Sequence, residues 1–266
     1  MVGPDAAARF AAVHVDGETG WFDDDAIVRR VHADSAMFVG GLRALLLQSL
    51  HPLAMAGVAD HSDYEHDPWG RLQRTAQFLA ATTYGPADLA QLAVDRVRAV
   101  HERVVGVAPD GRPYAASDPH LLRWVHLAEV DSFLAAYRRY GAEPLTDAEA
   151  DAYVADMAVI ARALGIAAPP ESTRGLRDQL RTYRRELAGT PDARRVARFL
   201  LWQAPLPIAA RAPYGLLASG AVALLPRWAR RPLRLPWLPV TEAVAMRPAG
   251  DAITKGLRWA LTAPPA

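Results

Sequence analysis

The stretch Arg71–Val105, RLQRTAQFLAATTYGPADLAQLAVDRVRAVHERVV, decides the fold class. It holds two blocks of helical period joined at Tyr84-Gly85-Pro86, where glycine ends one helix cheaply and proline suits the first turn of the next. On the first block Arg71, Thr75, Phe78 and Thr82 fall at i, i+4, i+7 and i+11 and share one face. On the second, Leu89, Ala93, Val97, Val100 and Val104 form an apolar stripe beside Arg98 and His101, one turn apart. A guanidinium, a hydroxyl and an imidazole are thereby held beside apolar surface on adjacent helices. That arrangement costs free energy unless something polar, charged or metallic sits among them.

Outward from this pair the helical pattern continues. Met37–Ala56 is apolar nearly all round except at Arg43, Gln48, Ser49 and His51, which predicts a central buried helix, bent at Pro52. Gly40-Gly41 marks the close approach of another helix or of a flat ligand, helix packing being the commoner reason. Asp23–Asp25 are placed to cap a short helix, and Asp34 or Ser35 to cap the next. Ser117-Asp118-Pro119 opens a helix reaching Tyr140, with Leu122, His126, Glu129, Phe133, Ala136 and Tyr140 on one face and Gly141 ending it. Thr146 to Glu149 has the form of a capping box and starts a helix to about Leu164; Thr173–Leu187 is a more charged, exposed helix. Asp110-Gly111-Arg112-Pro113 is a turn. Almost nothing alternates with period two and no repeat is visible, so the expected fold is all-α. The organisation read from the chain is an N-terminal arm (1–20), a helical core (21–190) and a Pro/Arg-rich C-terminal segment (191–266) packed on that core.

Composition narrows the chemistry. The 266 residues suffice for one large domain, and a formal net charge of +1 argues against nucleic acid as the main partner. There is no cysteine, so thiolate-ligated zinc, haem and iron–sulfur clusters are excluded, and any metal must be held by histidine, carboxylate or other oxygen donors. The N-terminus lacks an apolar signal core and no charge-free run is long enough to span a bilayer, so the expected location is the cytoplasm. Residues 192–239 combine apolar sequence with Arg, Trp and Pro. They suit either peripheral contact with an anionic membrane or a tail wrapped on the core with its arginines in water.

His101 is the first candidate ligand, because Arg71 and Thr75 accompany it without an obvious acidic partner on their own face. A haem would make sense of the set, with one imidazole on iron and the apolar stripes over the macrocycle. An anion site built by Arg71, Arg74 and Arg98 fits the same residues, as does ordinary ion pairing with Asp95 or Glu102. His126 competes for the iron, with Glu129 at i+3 placed to hold its ring. His51, just before Pro52, has a similar status, and three partly buried histidines keep a non-haem iron site open. The loop Asp60–Pro68, with two histidines and four acidic residues, is a weaker metal candidate that lacks a ligand spacing.

Three blocks carry a resemblance: FVGGLRALLLQSLHPLAMAGVADHS, DPWGRLQRTAQFLAATTYG and VHERVVGVAPDGRPYAASDPHLLRWVHLAEVDSFLAAYRRYG. They are similar to the MpaB-type oxygenase family, which includes the latex-clearing proteins or rubber oxygenases. The resemblance is close over Trp21–Leu187 and looser beyond. It implies a single-domain helical bundle with a globin-like core and, as in the latex-clearing members, a non-covalent haem b that uses O2 on carbon–carbon double bonds. By motif spacing it implies His101 as the axial ligand with Arg98 beside it, and Arg71, Arg74 and Thr75 on the distal side; a shift of alignment would move the ligand to His126, and Phe78, on the face of Arg71 and Thr75, is a further cofactor-binding candidate. The chain departs from the rubber oxygenases in its shorter length, in lacking a secretion signal, and in having no match for their distal glutamate. The expected substrate is therefore a small apolar or lipid-like molecule rather than an extracellular polymer, with an unidentified redox partner. A haem protein without oxygenase activity (carrier, sensor or degenerate homologue) and a cofactor-free helical interaction protein are the alternatives.

Overall fold

The computed structural model describes residues 19–62 and 67–262. Residues 1–18 of the expected arm, and Asp63, Glu65 and His66 of the candidate metal loop, lie outside them. Two turns of sequence logic set the first helices. α1 (Ile27–Ala33) starts after Ala26 without a side-chain cap, so the acidic run Asp23–Asp25 does not cap it; the Asp23 carbonyl accepts the Ala26 N–H instead. Asp34 does act at the start of α2 (Ala36–Gln48), accepting the Ala36 N–H at 2.7 Å. Ser35 instead donates to the Thr254 carbonyl.

The expected bent helix over 37–56 is a break rather than a bend. α2 stops at Gln48, and α3 (Pro52–His61) leaves at 106° to it. Proline has no N–H to continue the α2 ladder, but at the first position of a new helix that donor would be unpaired anyway. His51 becomes the cap, its Nδ1 taking the Ala54 N–H at 3.5 Å. The two blocks of the deciding stretch form α4 (Pro68–Tyr84), capped by Asp67, and α5 (Ala87–His101). The chain then makes a two-stranded hairpin that the helical reading did not anticipate. Val105–Val107 (β1) pairs antiparallel with Pro113–Ala115 (β2) around the Asp110-Gly111 turn, where Gly111 takes a φ of +85°. Strands of three residues are too short to show alternation.

α6 (Pro119–Tyr140), capped by Asp118, is the longest helix and the spine of the molecule. α7 (Asp147–Ala163) has the reciprocal capping box foreseen at Thr146 and Glu149. α8 (Thr173–Tyr183) is amphipathic rather than simply exposed, and buries Leu176, Leu180 and Tyr183. α9 (Pro191–Arg198) runs into a π-helical turn, Phe199–Gln203, before Pro205 and Pro207 lead into α10 (Ile208–Leu224). A short turn, α11 (Arg227–Arg230), the still shorter α12 (Pro239–Thr241) with its π-helical continuation Glu242–Met246, and α13 (Arg247–Thr262) complete the order.

The core lies where α2 crosses α6, with α7 and α8 closing it. Trp124, Tyr153, Tyr183, Leu46, Leu47, Leu50 and Met157 are fully buried there. α10 and α13 pack on each other, and α10 lies along α2. No single helix among the described residues is long and apolar enough to cross a membrane.

The glycine pair in α2 separates into two roles. A Cβ on Gly40 would sit 2.7 Å from the Phe133 ring and 3.1 Å from the Phe133 Cα, whereas one on Gly41 would meet only the edge of that ring at 3.9 Å. Gly40 is thus the point of closest approach between α2 and α6. Urea unfolding should show Gly40→Ala destabilised by about 1–3 kcal/mol through overpacking. Gly41→Ala should be stabilised by up to about 1 kcal/mol through helix propensity. Equal effects at the two positions would contradict this packing.

Candidate functional site

Leu122, Val125, His126 and Glu129 form one stripe along α6, and a small internal cavity opens against it. Phe78 and Leu79 of α4, His101 at the end of α5, and Met157, Ile160, Leu164 and Ile166 of α7 and its exit complete the walls. Its volume is about 70 Å³. Two imidazoles and one carboxyl thus meet in an otherwise apolar space, although each comes from a face that is mainly hydrocarbon.

Burial governs their protonation. It pushes the His126 imidazole down to about 4 and lowers His101 as well, so both rings are neutral near pH 7. It pushes the Glu129 carboxyl up to about 7. His126 is almost fully buried, and its Nε2 has no hydrogen-bond partner. Glu129 therefore does not steady that ring through Nε2 as its i+3 spacing suggests. A neutral imidazole nitrogen left without a partner in a dry cavity is costly for folding and ready for a ligand.

Phe78, His101 and His126, three of the residues named from the sequence, line this one space. The other four do not. Arg71 donates to Ser62 Oγ, Arg74 pairs with Asp67 at 3.2 Å, and the exposed Thr75 hydroxyl donates to the Arg71 carbonyl at 3.1 Å. Arg98 is exposed on α5. The wall that α4 and α5 provide is itself thinly anchored. The two helices bury only Ala80, Thr82, Thr83, Ala90 and Val94, and leave Leu72, Leu89, Leu92 and Val100 exposed.

A second cluster joins residues far apart in the chain. His51 at the α2–α3 corner, His120 in the first turn of α6 and Glu186 beyond α8 bring their donor atoms within 4.8 Å of one another. Burial alone would raise the Glu186 carboxyl, but the facing imidazoles of His120 and His51 outweigh it and hold it below the usual carboxylate range. Sequence reading flagged His51 but not its partners, since no spacing connects 51, 120 and 186.

The residues of these sites fall within a family match. The sequence profile of the family described as ER-bound oxygenase mpaB/B'/Rubber oxygenase, catalytic domain, matches residues 29–259. No curated protein and no solved structure matches the chain.

The cavity yields a pH signature for the cofactor-free protein. Glu129 binds its proton more tightly in the fold than its ordinary value of 4.5 allows, so its stabilising contribution is complete below 4.5 and is lost as pH rises towards 7. His126 binds its proton less tightly than its ordinary 6.5, so its contribution is present above 6.5 and is lost as pH falls towards 4. The two slopes oppose each other between 4.5 and 6.5. In urea titrations Glu129→Gln should be more stable than the parent at pH 7 and should lose stability more steeply on acidification. Parallel profiles for parent and variant would refute the buried neutral carboxyl.

Proposed function

Because the chain belongs to the family of mpaB and rubber-oxygenase catalytic domains, we propose that it is a haem b-dependent oxygenase acting with O2 on a small apolar or lipid-like substrate. The observation that carries this reading is the partnerless Nε2 of His126 in an apolar cavity that His101 also lines. Donor chemistry fits: neutral imidazoles are the usual protein ligands of haem iron, and hydrocarbon walls cover a macrocycle. His101 and His126 are the two residues that would hold the group. Room for it requires displacement of the wall, since about 70 Å³ is the volume of roughly two waters. The thinly anchored α4–α5 pair is the wall that can yield.

Haem, when bound, supplies activation of O2. The chain supplies the rest. Phe78, Leu79, Leu122, Val125, Met157 and Ile160 exclude water and accept an apolar substrate. Glu129, raised to about 7, holds a proton on its carboxyl oxygen within the same cavity. Arg71, Arg74 and Thr75 are proposed to face the substrate side once α4 is displaced; in this structure Arg74 and Thr75 make exposed hydrogen bonds, and Arg71 a half-buried one to Ser62.

Ultraviolet–visible spectra of the parent, His101→Ala and His126→Ala after haem reconstitution test this. The parent should show a Soret band, and the variant that loses or shifts it identifies the histidine that holds the haem. No band in the reconstituted parent would overturn the haem reading. A band without O2 consumption on apolar substrates would favour a haem carrier or sensor.

The proposed partner beyond the substrate is an anionic lipid surface. Residues 193–241 contain eight arginines and no lysine, aspartate or glutamate, a formal +8 that leaves −7 of the total +1 for the rest of the chain. This segment and its continuation expose large apolar side chains: Trp202 is 70% accessible, Ile208 82%, Val240 72% and Val244 70%. Arg227, Arg231, Arg234 and Trp237 line one surface groove, with Arg227 over the Trp237 ring at 3.7 Å. Exposed tryptophan beside arginine suits the headgroup region of a bilayer. The protein should sediment with vesicles containing phosphatidylglycerol but not with pure phosphatidylcholine, and the Arg227→Glu/Arg231→Glu variant should stay in solution. Binding that ignores lipid charge, or none, would exclude this surface.

A further inference from the structure

We infer that His51, His120 and Glu186 form a binding site for a divalent transition-metal ion, separate from the cavity of His101 and His126. Three segments distant in sequence converge on it. His51 caps α3 at the α2–α3 corner, His120 is the second residue of α6, and Glu186 lies just beyond α8. The Glu186 segment is pinned to that corner by the Ala188 N–H, which donates to the Leu50 carbonyl at 2.8 Å. Glu186 Oε2 lies 2.7 Å from His120 Nε2 and 3.4 Å from His51 Nε2.

The orientation of His120 is set by Tyr183. The two rings stack with centroids 4.5 Å apart, and the Tyr183 hydroxyl donates to the His120 carbonyl at 2.9 Å. The same hydroxyl lies 3.3 Å from His120 Nδ1 and steadies the ring from its far side. Its Nε2 faces the Glu186 carboxylate at 2.7 Å, a contact that a bound ion would replace. An outer contact that fixes the ring is the usual support of a metal-ligating histidine.

The independent sign of a ligand is on His51. Its side chain is 2% accessible, yet its Nε2, directed at the cluster, has only the 3.4 Å approach of Glu186 Oε2 and no well-formed hydrogen bond. Coordination through Nε2 would put the ring proton on Nδ1 and give up the contact from Ala54 N–H. At 3.5 Å that contact is the longest of the side-chain caps, so little is lost. Arg112, whose charge reaches both His51 and Glu186, is itself gripped by Asp110 at 2.7 and 3.0 Å. Two imidazoles and a carboxylate suit zinc or ferrous iron rather than magnesium or calcium. His120 and Glu186 are partly exposed, which leaves water a coordination position.

Uptake of an ion is the point under test, because His120 and Glu186 also meet directly at 2.7 Å without one. Full-length protein stripped with chelator is titrated with Zn2+ by calorimetry, and with Co2+ by visible absorption to report coordination geometry. The parent should take up one Zn2+ per chain and give Co2+ d–d bands of a low-coordinate nitrogen–oxygen site. His120→Ala and Glu186→Gln, at partly exposed positions where the fold is undisturbed by circular dichroism, should each bind at least about tenfold more weakly. Zn2+ should raise the melting temperature of the parent and not of these variants. A parent that takes up no Zn2+, or variants that bind as the parent does, would overturn the site. The Soret response to haem is read on the same samples; its survival in both variants separates this site from the cavity, and its loss in them would overturn that separation.

Discussion

Arg43 carries its charge into the interior of α2 and finds every partner it needs there. Its guanidinium donates to Ser132 Oγ at 2.6 Å and Asp131 at 2.7 Å on α6, and to the Leu224 carbonyl at the end of α10 at 3.1 Å. An arginine buried without such partners would cost several kcal/mol, so only one mutual register of these three helices is acceptable. Gly40, one turn earlier, allows the approach that this register demands. Fixing α6 in rotation and height is what aims the Leu122–Glu129 stripe at the cavity and sets His120 against Glu186. Both candidate sites are therefore consequences of how one buried cation is satisfied.

The two sites handle polar groups in opposite ways. In the cavity, burial wins: it pushes His126 down to about 4 and Glu129 up to about 7, and the imidazole nitrogen has no partner. At the His51–His120–Glu186 cluster, the facing groups win over burial, and Glu186 stays ionised. A dry space with neutral donors suits a large apolar group and oxygen chemistry, whereas a partly wet cluster with a carboxylate suits a small hard-to-borderline cation. Family membership accounts for an oxygenase scaffold.

Much of the helical order was legible because its signals are local. Asp118-Pro119 and the Thr146–Glu149 box each state a helix start in two to four residues, and the structure keeps both. Pro52 misled because the same residue kinks a helix that continues and starts one that does not; only the packing of α3 decides. The hairpin escaped because β1 and β2 are each three residues long. The cavity residues His101, His126 and Phe78 were visible as polar or aromatic positions on apolar stripes. The His51 cluster was not, because contacts between residues 51, 120 and 186 exist only after α6 has docked on α2.

A helical wheel states which residues share a face, not which way that face turns in the fold. Arg71, Thr75 and Phe78 do share one, yet only Phe78 reaches the cavity, because α4 is buried at Ala80, Thr82 and Thr83 and its first turns stand away from the core. The small volume of the cavity and the outward arginines then point to the same element. Seating a flat group of macrocycle size beside His126 requires α4 and α5 to move off α6 and α7, and a movement of α4 is also what would bring Arg71 and Thr75 to that space. The pair is built to allow it, since few of its side chains are buried and several apolar ones gain nothing from their present position. The thin anchoring of α4–α5, otherwise a defect in the fold, is thus what a haem-binding reading of this cavity needs.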